Sequence, residues 1–268
     1  MIFSIGSLFL ALSSPMAHQG VAVSHAGLGL RATAPLGNGV PLRIMPLGAS
    51  ITYGQASTDG NGYRADLRAQ LAPPTGGGGG GGGGNPVNMV GSVQHGTMKD
   101  NDVEGWPGYR IEQVHAKANL SVPRFKPNVV LVNAGTNDAL QASNITTAGQ
   151  RLERMLADVW AMSPRAAVVL STLLINKNVA VEGRVVTING QIRALVTKLQ
   201  RAGRKVVLAE MHAGDGPQAG DMFDDTHPND VGYRKMANIW FAALVTASDS
   251  GWLVAPEFVA GLPDDGGA

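Results

Sequence analysis

The sequence predicts a single α/β domain, doubly wound, in which a five-stranded parallel sheet lies between two layers of helices. Three observations predict it. Five short apolar runs recur along the chain, at Leu42–Leu47, Val87–Val90, Val129–Asn133, Ala167–Leu174 and Val206–Ala209, and they are largely continuous rather than alternating, as strands buried on both faces are. Between them lie segments with apolar residues at helical spacing. Strands and helices in that alternation call for a parallel sheet with right-handed crossovers. The chain has 268 residues and 44% hydrophobic content, enough for one large core.

Taken in order, the chain opens with MIFSIGSLFLALSSPMAHQG, an apolar run from Ile2 to Leu12 followed by small residues that offer cleavage after Ser13 or Ala17. Residues 1–17 read as a secretory signal peptide, too short to anchor in a bilayer, and residues 18–40 as an extended lead-in. Asn119-Leu-Ser121 and Asn144-Ile-Thr146 fit the N-glycosylation pattern, in keeping with secretion. The α/β domain is expected over 41–250. Its first strand, Leu42–Leu47, stops at Gly48 and presents Ala49, Ser50 and Ile51. A helix follows over Tyr63–Leu71, stopped by Pro73 and Pro74. Gly76–Gly84 is a run of nine glycines. It precedes a strand instead of following one, so it reads as a linker loop and not as a dinucleotide fingerprint. After the second strand come a polar loop over Gly91–Gly108 and a helix from Ile111 to about Leu120. The third strand, VVLVN, leads into AGTND, and a helix runs from Thr146 or Thr147 to about Met162. The fourth strand precedes a helix over Val185–Ala202 that Gly203 closes. The fifth precedes the last long helix, Val231–Ala247, and 251–268 form a tail.

Composition narrows the function classes. Net charge is +1, from 21 basic and 20 acidic residues, and no basic run is long enough for a phosphate-binding face, so nucleic acid is not expected as a partner. There is no cysteine, hence neither disulfide nor thiolate metal site. No set of His, Asp and Glu suggests a metal; His95 and His115 have no partner at an informative spacing, His212 lies just past the fifth strand, and all three read as structural. No cofactor and no membrane anchor are expected.

Polar residues of catalytic type follow three of the strands: Ser50, then Asn137 and Asp138, then Asp224 and His227. In a parallel sheet all three loops lie beyond the carboxyl ends of the strands, where open α/β sheets bind ligands. A serine nucleophile needs a base, a carboxylate to orient that base, and donors for the oxyanion. In FDDTHPND a turn can bring Asp224 to Nδ1 of His227 and leave Nε2 for Ser50; Asp225 is the rival orienter. Each residue also has an ordinary structural reading: Ser50 or Asn137 as a helix cap, Gly108 as a turn after Pro107, Trp106 as core.

PLGASIT, EGWPG, NAGTND and DDTHPND, in that order, resemble the sequence blocks of the SGNH or GDSL hydrolase family, a family of serine esterases with a flavodoxin-like fold. The resemblance covers Arg43 to about Ala247. It implies Ser50 as nucleophile, Asp224 and His227 as orienter and base, and an oxyanion hole built from Ser50, Gly108 and Asn137. The family's Gly-Asp-Ser-Leu signature stands here as Gly48-Ala49-Ser50-Ile51, which leaves the triad intact and alters the serine turn. RIMPLGASIT, DGNGYR and DNDVEGWPGYRI are most similar to carbohydrate esterases that deacetylate xylan-like polysaccharides. The expected substrate is therefore a small-molecule or polysaccharide ester. A lipase or lysophospholipase of the same family and a non-catalytic glycan-binding protein are the alternatives. A nucleotide-binding protein is a third, but PLGASIT does not supply the glycine-rich turn it needs. The aromatic content, 5%, speaks mildly against a broad sugar platform.

Overall fold

Residues 1, 34–72 and 84–263 are described by a computed structural model; the expected signal peptide beyond Met1 and nearly all of the polyglycine run lie outside them. In chain order the elements are β1 (Leu42–Gly48), α1 (Ser50–Tyr53), α2 (Arg64–Leu71), β2 (Val87–Met89), β3 (Val93–Gln94), β4 (Asp102–Gly105), α3 (Ile111–Phe125), β5 (Val129–Asn133), α4 (Thr136–Leu140), α5 (Ala148–Met162), β6 (Ala167–Ser171), α6 (Val179–Arg201), β7 (Val206–Ala209) and α7 (Asp230–Asp249).

The sheet runs β3-β4-β1-β5-β6-β7, with β2 also beside β1. All pairings are parallel except that of β3 with β4. The doubly wound α/β architecture is as expected, but among the described residues the sheet has seven strands, not five. The two extra strands lie in the stretch expected to be a polar loop, over Gly91–Gly108. Their sequence hides them, because β3 is two residues long and β4 reads DVEG. Glu104 is tolerated there, fully buried, because its carboxylate accepts the Ser92 N–H and hydroxyl and the Trp106 indole N–H.

On one side, β1 is flanked by two strands in turn. Leu42–Ile44 pair with β2, and Leu47 and Gly48 pair with β4. The gap accommodates Pro46. The carbonyls of Ile44 and Gly48 accept from Val90 and Trp106 on that side, so Pro46, midway between them, faces the break between partners, where no N–H is required of it.

Alternate strand residues feed two cores. Met45, Leu47, Val130, Val132, Val168 and Leu170 pack with α3, α5 and α6. Leu42, Ile44, Val129, Leu131, Val169 and Val207 pack with α2 and α7, around Trp240. Helices thus cover both faces, as a mostly parallel sheet requires.

Element ends depart from expectation by three residues or more at three places. α3 continues through Pro123 to Phe125 and closes at Lys126 in the left-handed region. α6 begins at Val179 instead of Val185, because the Asn178 side chain accepts the N–H groups of Ala180 and Val181. β6 ends at Ser171 instead of Leu174, because Leu173 exchanges both backbone groups with the Asn189 side chain. Part of the tail packs beneath the sheet: Arg43, Asn128 and Arg165 donate to the carbonyls of Glu257, Val254 and Ala255. The opposite edge is left to the loops that carry the candidate site.

Candidate active site

Ser50 is delivered by a strand that must end where it does. A Cβ on Gly48 would lie 2.2 Å from Thr52 Oγ1 and 2.3 Å from the Asn133 carbonyl, so only glycine lets β1 approach β5 and turn into α1. Ala49, at φ −111° and ψ −139°, is the N-cap and contributes no side-chain cap. Ser50 is the first helical residue, so its hydroxyl is not occupied as a cap. α1 lasts one turn. Gly54, at φ +97°, closes it by donating to the carbonyls of Ser50 and Ile51. The end of β4 holds it from the side: Trp106 N–H donates to the Gly48 carbonyl at 3.0 Å, and a side chain on Gly105 would strike Tyr53 N at 2.7 Å.

His227 arrives from the segment between β7 and α7. A bridge between Met222 and Pro228, and a bond from Phe223 N–H to the His227 carbonyl, close that segment into a tight hairpin. Asn229 then caps α7 by accepting the Gly232 N–H. Within the hairpin, Asp224 Oδ1 accepts the N–H groups of Thr226 and His227, each at 2.7 Å, and its Oδ2 meets His227 Nδ1 at 2.8 Å. On the far side of the ring, His227 Nε2 lies 2.9 Å from Ser50 Oγ. The residues lie 177 apart in sequence and are joined by the parallel order of β1 and β7. Ser50 is 6% exposed.

Burial works against charge on Asp224, but the hydrogen bonds from His227 and Thr226 outweigh it and hold the carboxyl below its ordinary value. Asp224 is therefore an anion at neutral pH, and it sets the imidazole tautomer by accepting the proton at Nδ1. Nε2 is then an acceptor, and the Ser50 hydroxyl donates to it. Of the two neighbouring aspartates it is Asp224 that makes the hydrogen bonds to His227, while the Asp225 carbonyl accepts the Lys177 N–H.

Asn137 lies on α4, just past β5, and is 7% exposed. Its Nδ2 donates to the Tyr109 carbonyl at 3.0 Å, which ties the loop after β5 to the loop carrying Gly108 and leaves the second amide proton for another acceptor. Gly108 is exposed, at φ +82°, and an added Cβ would meet nothing within 4 Å. Glycine there meets a backbone requirement, not a packing one. Asp138 is turned away from the triad; fully buried, it pairs with Arg151 at 2.5 Å and accepts the Ile111 N–H. Of the histidines without an evident sequence partner, His115 pairs with Asp158, His212 pairs with Glu182, and His95 stacks on Tyr53. Among the described residues no group of three or more His, Cys, Asp or Glu could hold a metal ion, and no helix is long and apolar enough to cross a membrane.

Sequence reasoning missed three supports of this edge. Arg64, fully buried, donates to four carbonyls, those of Tyr53, Gly60, His95 and Asn101, and so ties α1 to its neighbouring loops. Glu104 orients Trp106. Asn176 donates to Thr226, in the hairpin that carries His227. A charged residue inside a strand and a polar one after a strand were the available signals.

Residues 47–235 match the GDSL-like lipase/acylhydrolase family. The chain belongs to that family. Membership places it among ester hydrolases that use a serine, and the match contains all of Ser50, Gly108, Asn137, Asp224 and His227. A multidomain esterase of Ruminococcus flavefaciens is 25% identical over 219 residues, 74% of this chain and 28% of that protein. A second relative, from Acetivibrio thermocellus, is 26% identical over 132 residues, 49% of this chain and 56% of its own. The chain thus spans between about a quarter and a half of the length of the curated relatives it matches. Among solved structures, a family 3 carbohydrate esterase of Clostridium thermocellum superposes with a TM-score of 0.66 at 23% identity, covering 78% of this chain and 98% of that one. One from Talaromyces cellulolyticus gives 0.63 at 20% identity, covering 78% and 99%. At that distance the likeness concerns the fold. Within the GDSL frame, Ala49 stands where the signature has aspartate; buried and apolar, it serves the turn by its backbone alone, its carbonyl accepting the Tyr53 N–H.

Proposed function

We propose that this protein is a secreted serine esterase that removes acetyl or similarly small acyl groups from a carbohydrate through an acyl-enzyme intermediate. The observation that carries the reading is the unbroken chain Asp224–His227–Ser50, at 2.8 Å and 2.9 Å. In this mechanism His227 Nε2 takes the hydroxyl proton as Ser50 Oγ attacks the ester carbonyl, and Asp224 stabilises the imidazolium that results. The tetrahedral oxyanion is met by the Ser50 N–H, which as the first helical donor has no partner one turn back, by the Gly108 N–H and by the free Asn137 amide proton. One such donor is worth about 3 to 4 kcal/mol of barrier. His227 then gives that proton to the departing sugar oxygen, which leaves as a hydroxyl, and water repeats the sequence to release the carboxylic acid.

Support for the substrate class comes from the sequence blocks and from the carbohydrate esterases that share the fold. A polysaccharide substrate also agrees with a leader at 1–17, which amino-terminal sequencing of protein recovered from the medium tests. The deciding experiment is acetate release from acetylated xylan beside hydrolysis of p-nitrophenyl esters of rising chain length, by wild type and Ser50→Ala. The expected result is a preference for acetyl esters and loss of turnover in the variant. Equal rates from wild type and Ser50→Ala overturn the serine mechanism, and a preference for long acyl chains overturns the carbohydrate assignment in favour of a lipase.

A further inference from the structure

We infer that Asn176, in the loop between β6 and α6, is a positioning residue for the triad: it holds the Asp224–His227 hairpin in the geometry that reaches Ser50, acting through Thr226. The inference rests on the triad reading above and adds a residue that belongs to none of the four sequence blocks.

Asp224 needs such support, because its side chain is 46% exposed and packing does little to fix it. The hairpin has to be held by hydrogen bonds, and its outside is held by the loop after β6. Asn176 Nδ2 donates to Thr226 Oγ1 at 2.9 Å, and one residue further the Lys177 N–H donates to the Asp225 carbonyl at 3.0 Å. Two successive residues of one loop thus grip two successive residues of the other. Thr226 is itself one of the two N–H groups that Asp224 Oδ1 accepts, so displacement of its backbone moves the carboxylate directly. Asn176 and Thr226 are 6% and 8% exposed, and a bond between them is shielded from competing water.

Asn176 is in turn immobilised on its other sides. Its N–H donates to Glu182 Oε2 at 2.7 Å and its Oδ1 accepts the Asn178 N–H at 3.0 Å. The remaining oxygen of Glu182 meets His212 Nε2 at 2.7 Å. All the polar groups of the Asn176 side chain are committed in one orientation, with the amide nitrogen toward Thr226.

The test is a double-mutant cycle on Asn176→Ala and Thr226→Val, with Thr226→Ser as the conservative variant, assayed on p-nitrophenyl acetate with Ser50→Ala as control. Each single change is expected to lower kcat about tenfold, or about 1.4 kcal/mol of barrier, with KM within twofold. Because both remove the same contact, the double variant should fall no further than either single one, and Thr226→Ser should retain wild-type kcat. Additive losses, a change confined to KM, or a Thr226→Ser variant as slow as Thr226→Val overturn the inference. A variant whose loss merely tracks a lower Tm is resolved by measuring kcat well below every Tm; recovery of wild-type kcat there also overturns it. If Ser50→Ala is itself unimpaired, it is the triad reading that has failed.

Discussion

The placement of Ser50 depends on the absence of one methyl group, and Gly48→Ala tests that dependence. An alanine Cβ would stand 2.3 Å from the Asn133 carbonyl and 2.2 Å from Thr52 Oγ1, whereas real Cβ contacts essentially never fall below 3.0 Å. Thr52 can turn its side chain, but Asn133 O belongs to the neighbouring strand. The ends of β1 and β5 must therefore part by at least 0.7 Å, the difference between 3.0 and 2.3 Å. Ser50 lies two residues on, and a shift of that size along the line to His227 would stretch the 2.9 Å contact to about 3.6 Å, past hydrogen-bonding range. Misplacement on the scale of 1 Å costs about a hundredfold in rate. The overpacking itself costs about 1 to 3 kcal/mol of stability. The assay is kcat on p-nitrophenyl acetate together with urea unfolding followed by circular dichroism. A Gly48→Ala protein with kcat within threefold of wild type would refute the reasoning, because it would show that the serine turn tolerates a shifted strand.

Other changes have equally definite outcomes. Asp224→Asn keeps an acceptor for the N–H groups of Thr226 and His227 but presents an NH2 to Nδ1, which forces the proton onto Nε2; kcat should fall about 10³- to 10⁴-fold at neutral pH, and an unchanged Michaelis constant would separate this from lost binding. The same carboxyl, held below its ordinary value in the folded protein, contributes stability that is present above its unfolded pKa, about 3.9, and is lost as pH falls through the depressed folded value. Acid unfolding curves of wild type and Asp224→Asn should therefore converge at low pH, and curves that stay parallel would show the shift to be absent. Asn137→Ala should lower kcat by about 10²-fold or more with little change in KM; the reverse pattern removes it from the oxyanion site. Arg64→Lys keeps the charge but cannot reach four carbonyls from one planar fork, so it should cost about 3 kcal/mol in urea unfolding and lower kcat through α1. A loss below about 0.5 kcal/mol, the range of ordinary surface substitutions, would show that the fork is dispensable.

Patterns that repeat within a few residues were legible in the sequence. The five apolar runs became β1, β2, β5, β6 and β7, because strands buried on both faces are nearly continuous in apolar residues instead of alternating. Since those strands are parallel, all the loops following them share one edge, so the neighbourhood of Ser50, Asn137 and His227 could be read before any coordinates. Asp224 could also be proposed as the orienter, because its bond to His227 spans three residues. Only the tertiary structure could settle the rest. β3 and β4 exist because Glu104 finds donors on Ser92 and Trp106, and no local pattern announces a charge whose partners come from a turn. β6 stops short because Asn189, on a helix, takes the backbone groups of Leu173. The 2.9 Å contact between Ser50 and His227 joins residues 177 apart, and the bond from Asn176 to Thr226 spans 50. Distances of that kind are fixed by strand register and helix packing, which depend on the whole chain at once. Residue pattern alone tells which residue types lie on which edge of the sheet; packing selects which of them touch, because contact to within a few tenths of an ångström depends on how the whole chain is packed.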